Sequence, residues 1–124
     1  TPLVFFTKPE IASVGCFAEQ AHYTGFRGVE GCAKSEYLDF SFLGEIKEGF
    51  FKIVADARSG VVIGGQFVSP NASQLISLIV LAIKKGMKVG ALLSLANGKS
   101  EEIEGIREAA RLCSKAIKKQ HQTM

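Results

Sequence analysis

Residues Leu75 to Ile83 read LISLIVLAI, leaving Ser77 as the one polar side chain in nine positions. Pro70 ends whatever precedes this run. Asn71 followed by Gln74 is an Asn-x-x-Gln variant of the capping box, so the spacing predicts a helix from Asn71 to Gly86 with Asn71 as its N-cap. The seven large apolar side chains cover most of the circumference instead of forming one stripe, and a helix of that kind must be buried on two sides. Burying each contributes ~1.5 to 3 kcal/mol. A sheet of four or five short strands shields one face of such a cylinder. The other face calls for a second helix or a second molecule.

The stretch before this helix supplies the sheet. In GFFKIVADARSGVVIGGQFVSP, Phe51, Ile53 and Ala55 fall on one face of a strand and Lys52, Val54 and Asp56 on the other. DARSG ends in the glycine that a bulged hairpin needs, and Val61 to Val68 returns as the antiparallel partner. Gly64 and Gly65 weaken that strand by themselves, so they mark a bulge or a close backbone approach. A further strand is expected in Pro2 to Thr7, stopped by Lys8-Pro9, and another near Arg27 to Lys34. A short helix is expected in CFAEQAHYTG, closed by Gly25. After a helical stretch around Val89 to Leu95, the turn Asn97-Gly98 leads to Ser100, an N-cap with Glu101, Glu102 and Glu104 in the first turn of the last helix. That helix carries Ile103, Ile106, Ala110, Cys113 and Ile117 in one apolar seam, with Lys115, Lys118 and Lys119 near its end. Strands and helices in this order imply an α+β fold, an antiparallel sheet with helices packed on it. The chain reads as a single domain over residues 1–124.

Composition narrows the function classes. A chain of 124 residues, 47% hydrophobic, can bury a sizeable core without disulfides or metal. Its 15 basic and 12 acidic residues are interspersed, so no nucleic-acid partner is expected. The apolar run is far short of the ~20 residues that span a bilayer, so no membrane partner is expected either. Cys16, Cys32 and Cys113 are odd in number and widely spaced, which favours a reducing, cytoplasmic setting. With His22 and His121 they form no closely spaced zinc-ligand pairs, and no metal site is expected. GVEGCAKS, Gly28 to Ser35, misses a phosphate loop because Ala33 replaces the second glycine. Asn71-Ala72-Ser73 matches a glycosylation sequon but is better used as the helix cap. Glu101, Glu102 and Glu104 read first as dipole-matching acids on a solvated helix. No Gly-x-Gly-x-x-Gly, Gly-x-Ser-x-Gly or His-Glu-x-x-His occurs.

Four stretches together resemble one family: FTKPEIASVG (Phe6 to Gly15), EGFFKIVADARSGVVIGGQFVSPNASQLI (Glu48 to Ile76), LAIKKGM (Leu81 to Met87) and EGIREAA (Glu104 to Ala110). In order and spacing they are similar to the C-terminal dimerisation domain of the flavin-dependent pyridine nucleotide-disulfide oxidoreductases, the group of dihydrolipoamide dehydrogenase, glutathione reductase and mercuric reductase. Only Phe26 to Lys47 matches weakly. The resemblance implies pairing with a second copy in a two-fold dimer. It also implies a His-Pro-Thr-x-x-Glu motif that reaches the partner's active site, where the histidine exchanges a proton with redox thiols and the glutamate orients it. Glu104 sits at the glutamate position. Five residues earlier the histidine position holds Lys99, followed by Ser100 and Glu101 where the proline and threonine belong. A lysine with an ordinary pKa of ~10.4 cannot replace an imidazole near neutral pH unless burial lowers it by several units. The mercuric reductase branch also lacks this histidine but carries adjacent C-terminal cysteines, whereas Cys113 stands alone.

The expectation is therefore the dimerisation domain of a disulfide oxidoreductase that uses FAD and NAD(P)H, inactive as an isolated domain and without a cofactor site of its own. Upstream FAD and NAD(P) domains of the same chain are expected, Thr1 marking a piece of something longer. The alternative is a self-associating scaffold or binding module that has lost the flavin domains. In either case a homodimer is expected, resting on the Leu75 to Ile83 helix and the Ile103 to Ile117 seam.

Overall fold

The computed structural model describes residues 2–5, 10–34, 49–94 and 101–123. Five strands form one antiparallel sheet: β1 (Leu3–Phe5), β2 (Glu10–Gly15), β3 (Gly28–Lys34), β4 (Phe50–Asp56) and β5 (Val62–Ser69), in the order β1-β2-β5-β4-β3. Two helices, α1 (Ala72–Lys85) and α2 (Glu101–Thr123), lie on one face, α1 against β5 and β2, α2 against β3 and β4. The opposite face carries a short 3-10 helix, Ala18–Thr24, whose Ala21 packs with Val54 and Ile63. This is the α+β arrangement expected.

The hairpin forms as its sequence dictates. Gly60 adopts φ +79, and its N–H donates to the Asp56 carbonyl at 2.7 Å. Pairing runs from Phe50 opposite Val68 to Val54 opposite Gly64, then jumps to Ala55 opposite Val62, so Ile63 is the extra residue of a bulge. A side chain on Gly64 would run into the backbone of Cys16, and one on Gly65 would press on Ile79. Both readings of the glycine pair hold, a bulge and a close approach. Phe51, Ile53, Ala55 and Phe67 face the helices, and the Phe51 and Phe67 rings meet edge to face at 5.0 Å between centroids.

Several local expectations are corrected. Glu10–Gly15, which the sequence reading left unassigned, is a six-residue strand pairing with β1 and β5. Its mix of acidic, small and serine positions hides a strand whose helix-facing side is only Ala12 and Val14. The short helix expected in residues 16–25 forms as a 3-10 helix over Ala18–Thr24, followed by Gly25 at φ 87. Asn71 makes no side-chain cap on α1. Its amide instead donates to Glu102 of α2, at 2.7 Å from Nδ2 and 3.0 Å from the backbone N–H. The orphan N–H of Ser73 is taken by the Glu10 carboxylate at 3.0 Å, which also accepts from the Ser73 hydroxyl at 2.6 Å. Two acids from distant elements thus replace the expected capping box. The stretch at residues 89–95 is a 3-10 helix over Val89–Ser94. The strand expected over Pro2 to Thr7 is present over Leu3–Phe5, and Phe6, Thr7, Lys8, Pro9, Leu95, Asn97, Gly98, Lys99 and Ser100 lie outside the described residues.

Candidate self-association surface and the family glutamate

The two helices differ in how the chain covers them. On α2, Ile106, Ala109, Ala110, Cys113 and Ile117 are buried against β3 and β4. The expected second interface, the Ile103 to Ile117 seam, is therefore corrected: it is core, shielded within one copy. The contact is close because β3 offers Gly31, where an added Cβ would strike Ala109 and Cys113 backbone. Burial pushes the Cys113 thiol up to about 12, so it stays protonated and unreactive, and it leans on the Val29 carbonyl at 3.8 Å.

Helix α1 is covered on one side only. Ala72, Ile76, Ile79 and Ala82 are buried. Leu75, Leu78, Val80 and Ile83 are half-buried, and Leu81 is 50% exposed at the centre of the outward face. Beside it, Val80, Ile83 and Lys84 form with Pro2 and Val14 a groove of about 360 Å³ between the helix and the β1–β2 edge. The helix ends on Gly86 at φ 63, whose N–H reaches back to the last turn, with Lys84 and Lys85 exposed there. An apolar outer face is what the sequence predicted. α2 packs elsewhere, on β3 and β4, and leaves that face open.

Glu104 stands on the exposed side of the first turn of α2, its side chain 58% exposed and bound to Arg107 Nη1 at 3.0 Å. Only Oε1 is engaged, by the guanidinium one turn away, and an exposed pair of this kind is weak. Lys99, which the resemblance sets at the histidine position, lies outside the described residues. Glu102, read from sequence only as a first-turn acid, ties α2 to Asn71. The one sequence signal for Glu10 and Glu102 was indirect: α1 has no acid in its own first turn, so its dipole and free N–H groups had to be met from elsewhere.

On the far face of the sheet, Cys32, Lys34, Gly49, Phe50 and Lys52 line a hollow of about 220 Å³. Desolvation raises the Cys32 thiol despite the neighbouring Lys52 and Lys34, which makes it a poor nucleophile. Gly28 to Lys34 is an edge strand, which removes the phosphate-loop reading. Among the described residues no three His, Cys, Asp or Glu side chains gather as metal ligands, and no helix is long and apolar enough to cross a membrane. The N-terminus of α1, where a pyrophosphate would need free amides, is filled by the carboxylates of Glu10 and Glu102.

Comparison with known proteins agrees with this architecture. The family described as the pyridine nucleotide-disulphide oxidoreductase dimerisation domain matches residues 1–96. A dihydrolipoyl dehydrogenase of Haloferax volcanii is 34% identical over 88% of this chain and 23% of its own length. A mercuric reductase of Shigella flexneri is 32% identical over 94% of this chain and 21% of its own. The crystal structure of LpdA from Mycobacterium tuberculosis superposes with a TM-score of 0.75 at 33% identity, over 90% of this chain and 24% of that one. The HOCl-induced flavoprotein disulfide reductase RclA of Escherichia coli reaches 0.77 at 16% identity, over 90% of this chain and 26% of that one, a likeness of fold alone. The chain spans about a quarter of the length of these relatives. With its five-stranded sheet, its half-covered α1 and a family match over most of its length, the chain belongs to the pyridine nucleotide-disulphide oxidoreductase dimerisation-domain family.

Proposed function

We propose that this chain is the self-association domain of an FAD- and NAD(P)H-dependent disulfide oxidoreductase, pairing with a second copy through the outer face of α1 and contributing no redox chemistry alone. The observation that carries this reading is Leu81, half-exposed on the outward face of a helix that is apolar from Leu75 to Ile83 except for Ser77, in a family described as a dimerisation domain. Flavin and nicotinamide would be held by other domains of the parent, because the sequence has no Gly-x-Gly-x-x-Gly fingerprint and the N-terminus of α1 is already filled by Glu10 and Glu102. Three unpaired cysteines suit a reducing, cytoplasmic compartment. Neither a nucleic acid nor a membrane is part of this reading.

The family glutamate is Glu104, and the histidine position is Lys99. With lysine where the resemblance puts the histidine, proton exchange with the partner's thiols is lost or taken over by another group. The same two residues favour a second reading, a self-associating scaffold without flavin domains. Sequence upstream of Thr1 separates the two: a Gly-x-Gly-x-x-Gly turn followed by a closely spaced cysteine pair belongs to the oxidoreductase.

The test of self-association is light scattering at high micromolar concentration, with Leu81→Glu as the perturbation. Expected is a dimer for the unaltered chain and a folded monomer for the variant. An unaltered chain that stays monomeric overturns the reading.

A further inference from the structure

We propose that the hollow on the far face of the sheet, lined by Lys34, Lys52 and the Phe50 ring, is a binding site for a small carboxylate with a flat apolar body. It lies on the side of the sheet away from α1, so self-association through that helix does not cover it. The inference stands apart from the function proposed above.

The register of β3 and β4 builds the site. Cys32 pairs with Lys52, and Lys34 with Phe50. Residues directly opposite share a face of the sheet, and Ala33, Phe51 and Ile53 take the helix side, so these four side chains form a square on the other side. The two lysines are its diagonal corners. Gly49, next to Phe50, adds no side chain, and the hollow left among these residues is about 220 Å³. Lys52 Nζ stands 5.9 Å from the centroid of the Phe50 ring and 3.9 Å from Glu30 Oε2, near the outer limit of an ion pair. Lys34 is exposed and in no ion pair among the described residues. Desolvation, the larger effect, raises the Cys32 thiol while both ammonium groups pull it down, so both are near enough to act on a charge in the hollow.

Charge selects the ligand first. Two ammonium groups against the single carboxylate of Glu30 leave the described surroundings of the hollow positive, so it attracts an anion and repels a cation. The described lining includes no helix N-terminus and no arginine, the groups that best enclose a phosphate. Lysine is a point charge that satisfies a carboxylate oxygen, and the half-buried Phe50 offers a ring for a flat apolar body to stack on. Size is the second limit. At ~30 Å³ per water the hollow holds about seven waters, which is below the ~300 Å³ at which ordinary ligand pockets begin. One ring bearing a carboxylate fits, whereas a nucleotide does not.

Benzoate is the probe, with benzamide as its uncharged counterpart and inorganic phosphate as the compact anion. In a Cys16→Ser background the buried Cys113 is silent, so alkylation by iodoacetamide reports on Cys32. A ligand of about nine non-hydrogen atoms held by two charges and one ring should bind with a Kd of ~1 mM. At about 10 mM and constant ionic strength, benzoate should then slow the alkylation about tenfold, and benzamide or phosphate by less than about twofold. Lys34→Gln should remove most of that protection and Lys34→Arg should keep it, with the circular dichroism spectrum unchanged in both. On the unaltered chain, and without using the thiol, benzoate should shift the backbone amide NMR signals of residues 32–34 and 50–52 and leave those of α1 in place. Equal protection by benzoate and benzamide would mean a merely apolar dent and would overturn the proposal. So would phosphate protecting as well as benzoate, or amide signals of the hollow that do not move.

Discussion

Gly31→Ala tests whether the seam of α2 is core. Gly31 lies on β3 directly beneath α2. A Cβ there would overlap the Ala109 carbonyl oxygen and the Cys113 N–H and come 2.9 Å from Cys113 Cα, where ordinary contact begins at 3.4 Å. Every atom it meets is backbone, so no side chain can rotate away. Helix α2 would have to lift by more than half an ångström from a sheet on which it buries Ile106, Ala109, Ala110, Cys113 and Ile117. Overpacking commonly costs ~1 to 3 kcal/mol, and a clash that backbone alone must absorb belongs at or above the top of that range. For a domain of this size ~3 kcal/mol lowers Tm by about 12 °C. Urea unfolding at fixed protein concentration, followed by circular dichroism, measures the loss. Gly90→Ala is the control, since an added Cβ there meets nothing within 4 Å. It should be neutral or stabilise by up to ~1 kcal/mol. Equal effects of the two substitutions, or a Gly31→Ala loss under ~1 kcal/mol, would refute the placement of α2.

Glu10→Gln should cost ~0.5 to 2 kcal/mol in the same assay, because it weakens the acceptor that holds the first turn of α1, and Glu10→Ala should cost more. Asp56 is largely buried, which disfavours its charge, yet the Arg27 N–H, the Ser59 hydroxyl and the Arg58 N–H together hold its pKa below the usual carboxylate value. A lowered folded-state pKa means stability that is present above the unfolded-state value and lost as pH falls through the folded one. Asp56→Asn should therefore flatten the acid limb of a stability–pH profile below about pH 4, and an unchanged limb would count against the bonding described. Cys113 should resist a thiol reagent at pH 8 until the chain is unfolded, whereas labelling of all three cysteines in the native protein would show that α2 is not seated. Ser69→Ala should be neutral or stabilising, because the buried hydroxyl has no hydrogen-bond partner among the described residues.

The hairpin was legible because each of its signals is local. Alternation at Phe51, Ile53 and Ala55, a glycine at the loop end and a glycine pair inside β5 need only neighbours a few residues apart to take effect. What was illegible depended on elements far apart in the chain. Asn71 has the chemistry of a cap, but Glu102, 31 residues on, offers its amide a charged acceptor, and Glu10 reaches Ser73 from 63 residues away. A charged acceptor outcompetes a local neutral one. β2 was invisible for a related reason: it is held by strands on both sides, so its own residues need little β propensity. At the family site, the sequence supplies the identities of residues 99 and 104. The pairing of Glu104 with Arg107 is local as well, since EGIR sets the two charges three residues apart on one helix.

The two helices show why apolar density alone does not separate a core from an interface. Both carry enough large aliphatic side chains to demand cover, and from sequence both were assigned to a partner. Topology decides between them. The sheet order places β3 and β4 together at one edge, where α2 is the helix packed on them among the described residues, so Ile106, Ala109, Ala110, Cys113 and Ile117 are all buried there. α1 lies over β5 and β2 with an identical need on its inner side, and its outer side is left with Leu81 because no further element of the described chain reaches it. A stripe narrower than half the circumference can be satisfied by one sheet, whereas a wider one leaves a remainder. That remainder is where Leu81→Glu must act on association without unfolding the chain, while a charge at Ile106, fully buried under α2, must unfold it. If the two substitutions behaved alike, the division between shielded seam and open face would be wrong.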